Sequence, residues 1–234
     1  MTHATGTCPV SIQHRSGAPA ELVSSFPAVD RFTAIVVAPT APALVLGSAQ
    51  REESVDAAAA DAASLPRVRR RSGGGGVVVR PGAQLWLDVF VPSGHALAHH
   101  DTGKAALVIG RLWADALAPL LPDATEVHDG AMVATPWSRA VCFSGTGPGE
   151  VLLGGRKLVG VSQRRDRSGA WFFSMAHVTF DPVEHAAVVA LDADERARLV
   201  AQLTADVATL PIAAGEAEAA LVAAVQRLGT PAAG

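Results

Sequence analysis

The chain has 234 residues, 49% of them hydrophobic and only 18% charged, which supplies one sizeable core and excludes a disordered or solvating role. With 22 acids against 19 bases the formal charge is −3, which argues against a broad nucleic-acid surface. Apolar runs stop short of the roughly 20 residues a membrane span needs. The N-terminus lacks the basic-then-apolar layout of a secretory signal. Cys8 and Cys142, the only cysteines, make neither a disulfide framework nor a zinc knuckle. The expectation is a cytoplasmic protein with no nucleic-acid or membrane partner.

Residues 1–30 are small, polar and proline-containing without a sustained period, and read as an irregular lead-in to one domain over 31–234. From Phe32 onwards, short β-branched runs bounded by Pro, Gly or Ser read as strands at 32–37, 44–46, 68–70, 77–80 and 85–91. In the last of these, Leu85, Leu87, Val89 and Val91 alternate with Trp86, Asp88 and Phe90, giving one apolar and one mixed face. An Ala-rich helix is expected over 54–63. The clearest helix spans 101–120, where Ala105, Val108, Ile109, Leu112, Trp113, Ala116, Leu117 and Leu120 form one buried stripe. Asp101 is its natural N-cap, and Pro122 follows its end. Further strands are expected at 140–143, 151–153, 157–163, 171–173 and 178–180. Two helices close the chain, the first opened by Asp192 and Glu195 and the second capped by Gly229. Strands that come in runs, without alternating helices, predict an α+β fold: a mixed, mostly antiparallel sheet flanked by helices, in a single domain.

Three segments can carry chemistry. Arg69, Arg70 and Arg71 lead through Ser72 into four consecutive glycines, Gly73, Gly74, Gly75 and Gly76, and then Val77. A glycine run lets backbone approach a ligand closely, and the arginines can neutralise a phosphate or carboxylate; the alternative is a plain flexible hairpin loop. No Gly-Lys-Ser/Thr follows, so it is not a phosphate loop of the nucleotide-triphosphatase type. In the second segment, Gly154 and Gly155 deliver Lys157 to the start of a strand that also holds Gly160 and Ser162. Lys157 and Lys104 are the only lysines in an arginine-biased chain. A lysine can hold an oxygen as charge develops on it, although at a strand start it is ordinarily a solvated edge residue. Third is Cys142, between Val141 and Phe143, which reads either as a small buried hydrophobe or as a nucleophile at the edge of the Gly/Pro-rich stretch after it. His95, His99 and His100 lack the carboxylates of a metal site and read as a solvated turn; Arg164 to Arg167 read as a hairpin tip.

Taken in order from about Pro42 to Phe180, these segments resemble the lipoate–protein ligase A family, relatives of the biotin–protein ligases. The residues that carry the likeness are Leu44 to Gln50, Val55-Asp56, Arg69 to Val77, Cys142-Phe143 and Gly155 to Arg165. The resemblance implies attachment of lipoate or octanoate to a lysine of a lipoyl carrier domain, such as 2-oxoacid dehydrogenase E2 or the glycine cleavage H protein. It implies catalytic roles for Lys157 and Cys142, substrate binding by Arg70, Ser72, Gly73, Gly74, Gly75, Gly76, Val77, Gly160 and Ser162, and no metal ligand among the protein residues. Two routes run on such a fold. One passes octanoyl from acyl carrier protein through a cysteine thioester, for which Cys142 is suitably placed; the other activates lipoate with ATP and Mg as an adenylate. A third outcome is a degenerate module that binds an acyl chain or carrier without turnover. The chain departs from the family in carrying Ser174-Met175 where His-Gly is usual, with His177 out of register, and in showing no long N-terminal helix. Val77, Val79, Leu158 and Phe173 are expected to wall the acyl slot.

Overall fold

The computed structural model describes residues 10–228. In chain order its first elements are β1 (Ser11–Gly17), α1 (Pro19–Ser24), β2 (Thr33–Pro39), β3 (Ala43–Leu46), α2 (Ala57–Ala62), β4 (Arg67–Arg69) and β5 (Val77–Val79). They are followed by β6 (Gln84–Pro92), α3 (Thr102–Leu117), β7 (Thr125–Val127), β8 (Val151–Leu153), β9 (Arg156–Arg165) and β10 (Gly169–His177). The chain ends with α4 (Pro182–Ala187), α5 (Ala193–Asp206) and α6 (Ala214–Leu228). Among the described residues the main sheet runs β1-β2-β6-β10-β9-β8-β7 and a smaller sheet runs β4-β3-β5. β1 lies parallel to β2 and β4 parallel to β3; the other ladders are antiparallel. This is the α+β arrangement expected, with β6 and β9 in one sheet, joined through β10.

The alternation in β6 sorts the core into two halves. Leu85, Leu87, Val89 and Val91 pack with Ile109, Trp113 and Leu117 of α3 and Leu221 and Val225 of α6. Trp86 and Phe90 face the other way, with Val45 and Val77 of the small sheet and Leu22 and Val23 of α1. α3 forms where expected because Asp101 accepts from the Lys104 N–H at 2.8 Å, satisfying a donor that the first turn leaves unpaired. Trp113 is fully buried, and its indole N–H donates to Ser174 Oγ at 2.8 Å. Asp192 accepts from the Glu195 N–H at 2.8 Å to open α5.

Four expectations need correction. Residues 1–30 are not all irregular, since β1 and α1 fall there: β1 extends the main sheet, and α1 starts on Pro19, whose fixed φ suits a first helical position. The 54–63 helix begins only at Ala57, where Asp56 caps it by accepting from the Ala59 N–H, and Ser54 belongs instead to a separate 3₁₀ turn over Glu52–Ser54. Residues 140–143 form a tight turn, in which Ala140 and Val141 both donate to Trp137 O, and their β-type pairing is limited to an isolated bridge between Gly76 and Val141. A short apolar run looks the same whether it is strand or buried turn. Residues 178–180 also leave the sheet, because Val178 and Thr179 both donate to Ala83 O before Asp181 caps α4. Gly229 lies outside the described residues. Among those residues no helix is long and apolar enough to cross a membrane.

Candidate active site

An apolar slot lies between the two sheets. One wall comes from the main sheet (Trp86, Gly160, Ser162, Phe173 and Met175) and the other from Val45, Arg70, Ser72 and Val77. Leu22 and Val23 of α1, with Phe26, close a third side, and the free space between these walls is narrow, about 30 Å³. Of the walls expected from sequence, Val77 and Phe173 line it. Val79 does not, although it packs in the same half of the core, nor does Leu158, which belongs to the α3 half. Phe26 stacks on Trp171 at 5.2 Å and carries the Arg71 guanidinium 5.1 Å above its ring.

Leu158 is turned away by a bulge. β8 pairs Val151 with Val159 and Leu152 with Lys157, leaving Leu158 as an extra residue in β9. The extra residue breaks strict alternation, so Lys157, Gly160 and Ser162 all serve the slot side while Leu158 and Val159 enter the opposite core. Gly160 keeps the Phe143 ring close: a Cβ there would crowd the ring at 3.2 Å, with Lys157 Cε in ordinary contact at 3.6 Å.

Beside the slot, and continuous with it through Cys142, Val161 and Ser162, is a more polar mouth lined by Gly73, Gly74, Gly75, Glu150, Lys157 and the start of α3. Lys157 is only 3% exposed. Its ammonium donates to Cys142 O at 2.9 Å and Gly145 O at 3.1 Å and pairs with Glu150 Oε2 at 2.7 Å, 5.0 Å from the Phe143 ring centroid. All three N–H donors are therefore spent on the protein. Glu150 is equally engaged: Oε2 accepts from the Gly147 N–H at 2.7 Å and Oε1 from the Val161 N–H at 3.2 Å. A buried ion pair of this kind holds only when further hydrogen bonds complete both partners. Glu150 was not singled out from sequence, though a signal exists: it is the one charged residue between Arg139 and Arg156.

The glycine loop is folded by its own arginine. Arg70 donates to Gly73 O at 2.7 Å and Gly75 O at 2.9 Å, and its Nη2 stands 3.8 Å from Cys142 Sγ. Arg69 donates to Gly47 O and Gln50 O and pairs with Glu52. The three arginines thus brace loops and the Phe26 ring, where the sequence suggested an anion site. Ser72 and Ser162 share a hydrogen bond at 3.0 Å across the slot. Gly76 alone of the four glycines faces away, toward a small cavity shared with Gln50 and His185. Cys142 is half-buried, lines both slot and mouth, and is held by its N–H donating to Gly76 O at 2.8 Å.

Ser174 and Met175 have separate tasks here. Ser174 Oγ accepts from Trp113 and donates to Leu87 O at 2.8 Å, while Met175 lines the slot. His177 is buried against Phe143 and His185, outside both slot and mouth, and burial with the neighbouring His185 and Lys157 charges holds its pKa well below the ordinary histidine value. It does not replace the missing histidine. Leu22, Val23, Phe26, Trp86 and Met175 were not foreseen as slot residues, because only the tertiary fold brings them to one place.

The same fold recurs in solved structures at low sequence identity. A bipartite lipoate protein ligase from Thermoplasma acidophilum, described with its E2 lipoyl domain, superposes with a TM-score of 0.72 at 15% identity, covering 93% of this chain and 82% of that one. A lipoate-protein ligase A bound with ATP gives 0.69 at 16% identity, over 94% and 84% of the two chains. Another T. acidophilum structure, of a lipoate protein ligase with bound lipoic acid, gives 0.65 at 16% identity over 88% and 76%. No curated protein matches the sequence. The fold described above is thus one that solved lipoate protein ligases share. Residues 21–227 match the lipoyl protein ligase A/B catalytic domain, and the chain belongs to that family.

Proposed function

We propose that this protein transfers an octanoyl or lipoyl group to a lysine of a lipoyl carrier domain, through a thioester on Cys142. The observation that carries the reading is the place of Cys142 Sγ, where the apolar slot meets the mouth that holds Lys157. The slot takes the acyl chain as its walls part around it, each buried methylene contributing about 0.8 kcal/mol. The Cys142 thiol gives up its proton and attacks the carbonyl of an octanoyl thioester on acyl carrier protein; the thiolate of acyl carrier protein leaves and takes up that proton, and octanoyl-Cys142 remains. The neutral amine of the acceptor lysine then attacks that thioester, forms the amide and passes its proton to the departing sulfur, which restores the Cys142 thiol. For Lys157 to hold the acyl oxygen, one of its three bonds has to yield. The longest, to Gly145 O, is the natural one to exchange.

The adenylate route asks for Mg, which is commonly held by one or two carboxylates together with substrate phosphates. The carboxylate lining the mouth is Glu150, and both its oxygens are already committed to Lys157 and to backbone N–H groups. That donor set fits the metal poorly and weighs toward the thioester. The test incubates the protein with octanoylated acyl carrier protein, or with octanoate and Mg-ATP, and reads the intact mass of the enzyme and of a lipoyl carrier domain. The expected result is an ATP-independent octanoyl adduct, absent in Cys142→Ser, that chases onto the carrier. Activity that requires ATP and survives Cys142→Ser would establish the ligase in its place. Octanoate binding without any transfer would leave a binding module.

A further inference from the structure

We infer that the exposed apolar strip over residues 131–136 is the surface on which the acyl-accepting carrier domain docks, an inference that rests on the transfer reading above. Ala131, Met132, Val133, Ala134 and Pro136 all face solvent, and none of residues 131–136 is charged. Met132 is 51% and Val133 57% exposed, two of the four large hydrophobic side chains that the described residues leave open to water. The strip adjoins the reaction centre directly, since Met132 lines the mouth together with Cys142 and Lys157.

Two further observations mark it as built. Its backbone is fixed: Val133 donates to Thr146 O at 2.8 Å and accepts from the Thr146 N–H at 3.0 Å. Beyond it, the Thr135 N–H donates to Ser138 Oγ at 2.8 Å, and Thr135 Oγ1 shares a hydrogen bond with Ser144, which in turn donates to Gln202. Gly145, at φ +95°, lets the strip close onto this loop, because a Cβ there would lie 2.6 Å from Val133 O and 3.2 Å from Met132 Cε. A rigid backbone that presents apolar side chains to water loses little entropy when a partner covers them. The occupant follows from the reaction. An acyl group held in the slot leaves through the mouth, and a lysine side chain is too short to reach Cys142 unless its own domain comes to rest on the rim. On that rim a polarizable methionine and a small β-branched residue suit a modest, transient contact.

The experiment uses the full chain, a lipoyl carrier domain, and octanoate as the slot probe. Val133 lines neither slot nor mouth, so Val133→Glu should bind octanoate as the wild type does. Its KM for the carrier domain should rise about tenfold or more, the cost of truncating or charging an interface anchor, and Val133→Leu should restore it. An unchanged carrier KM in Val133→Glu overturns the docking site while leaving the transfer reading intact. Loss of octanoate binding in the same variant overturns it too, by showing that Val133 is structural. A dimeric wild type that becomes monomeric on Val133→Glu gives the strip to a second copy of this chain and ends the proposal. A wild type that binds octanoate but modifies no carrier removes the transfer reading and the docking site together.

Discussion

Asp88 is a carboxyl held in the middle of β6 on the slot side of the main sheet, between Ile35 and Phe173 in register. It is 4% exposed, and its one hydrogen-bond donor is the Trp86 indole N–H at 2.7 Å. Burial raises its pKa to about 7, with that bond and the Arg15 charge opposing only part of the effect. An unfolded chain releases the same proton near pH 4. Between about pH 4 and 7 the native state therefore binds more protons than the unfolded one, and stability falls as pH rises, by about 4 kcal/mol in total. Asp88→Asn keeps an acceptor for Trp86 and removes the titration. Urea unfolding should show it markedly more stable than wild type at pH 8 and nearly equal at pH 4; the same difference at both pH values would contradict this account.

At the scale of elements, the glycine loop and β3 are fitted to one another. A Cβ on Gly47, just past the end of β3, would stand 1.8 Å from Gly74 O, and one on Gly75 would stand 2.6 Å from the Val141 nitrogen. Gly73, by contrast, has open space where a Cβ would go. Gly47→Ala has to push the loop out of its place beside Cys142, and overpacking of this kind typically costs about 1–3 kcal/mol. Octanoate titration should find binding weakened about tenfold in Gly47→Ala and unchanged in Gly73→Ala. Equal affinities in the two variants would show that the loop does not shape the site. The bulge at Leu158 belongs to the same scale: the lysine was readable as a residue, but the face it serves was not, because strict alternation would have turned it away from Gly160 and Ser162.

Over the whole molecule, acid stability turns on two buried imidazoles. His177 and His185 lie with ring centroids 5.5 Å apart, each with an Nε2 that has no hydrogen-bond partner among the described residues, and burial depresses both pKa values, that of His177 most. Both must take up protons on unfolding once the pH is below about 6.5. The unfolded state then binds more protons, so their contribution is intact above that pH and is lost as pH falls below it. His177→Gln keeps an amide for Gln84, which bonds His177 Nδ1 at 3.3 Å. Denaturation between pH 5 and 6.5 should show a slope shallower by about one proton in that variant; an unaltered slope would place the titration elsewhere.

Local physics was enough for much of this protein. Capping by Asp101, the stripe of α3, the two faces of β6 and the ordered pair of arginine–glycine loop and lysine strand all stand in the sequence, because each depends on neighbours within a few turns or on a motif. The fold class and the family followed from them. What only the tertiary structure decided depends on contacts far apart along the chain. The slot needs α1 and Phe26, from a segment with no period of its own, to close over strands as far along the chain as the one carrying Phe173 and Met175. The apolar run 140–143 became a turn because the Ala140 and Val141 N–H groups bond back to Trp137 O, a choice that periodicity cannot make. Lys157 met Glu150 and the carbonyls of Cys142 and Gly145 because one extra residue in β9 turned it toward the mouth. A bulge changes direction without changing composition, so no count or spacing along the chain records it.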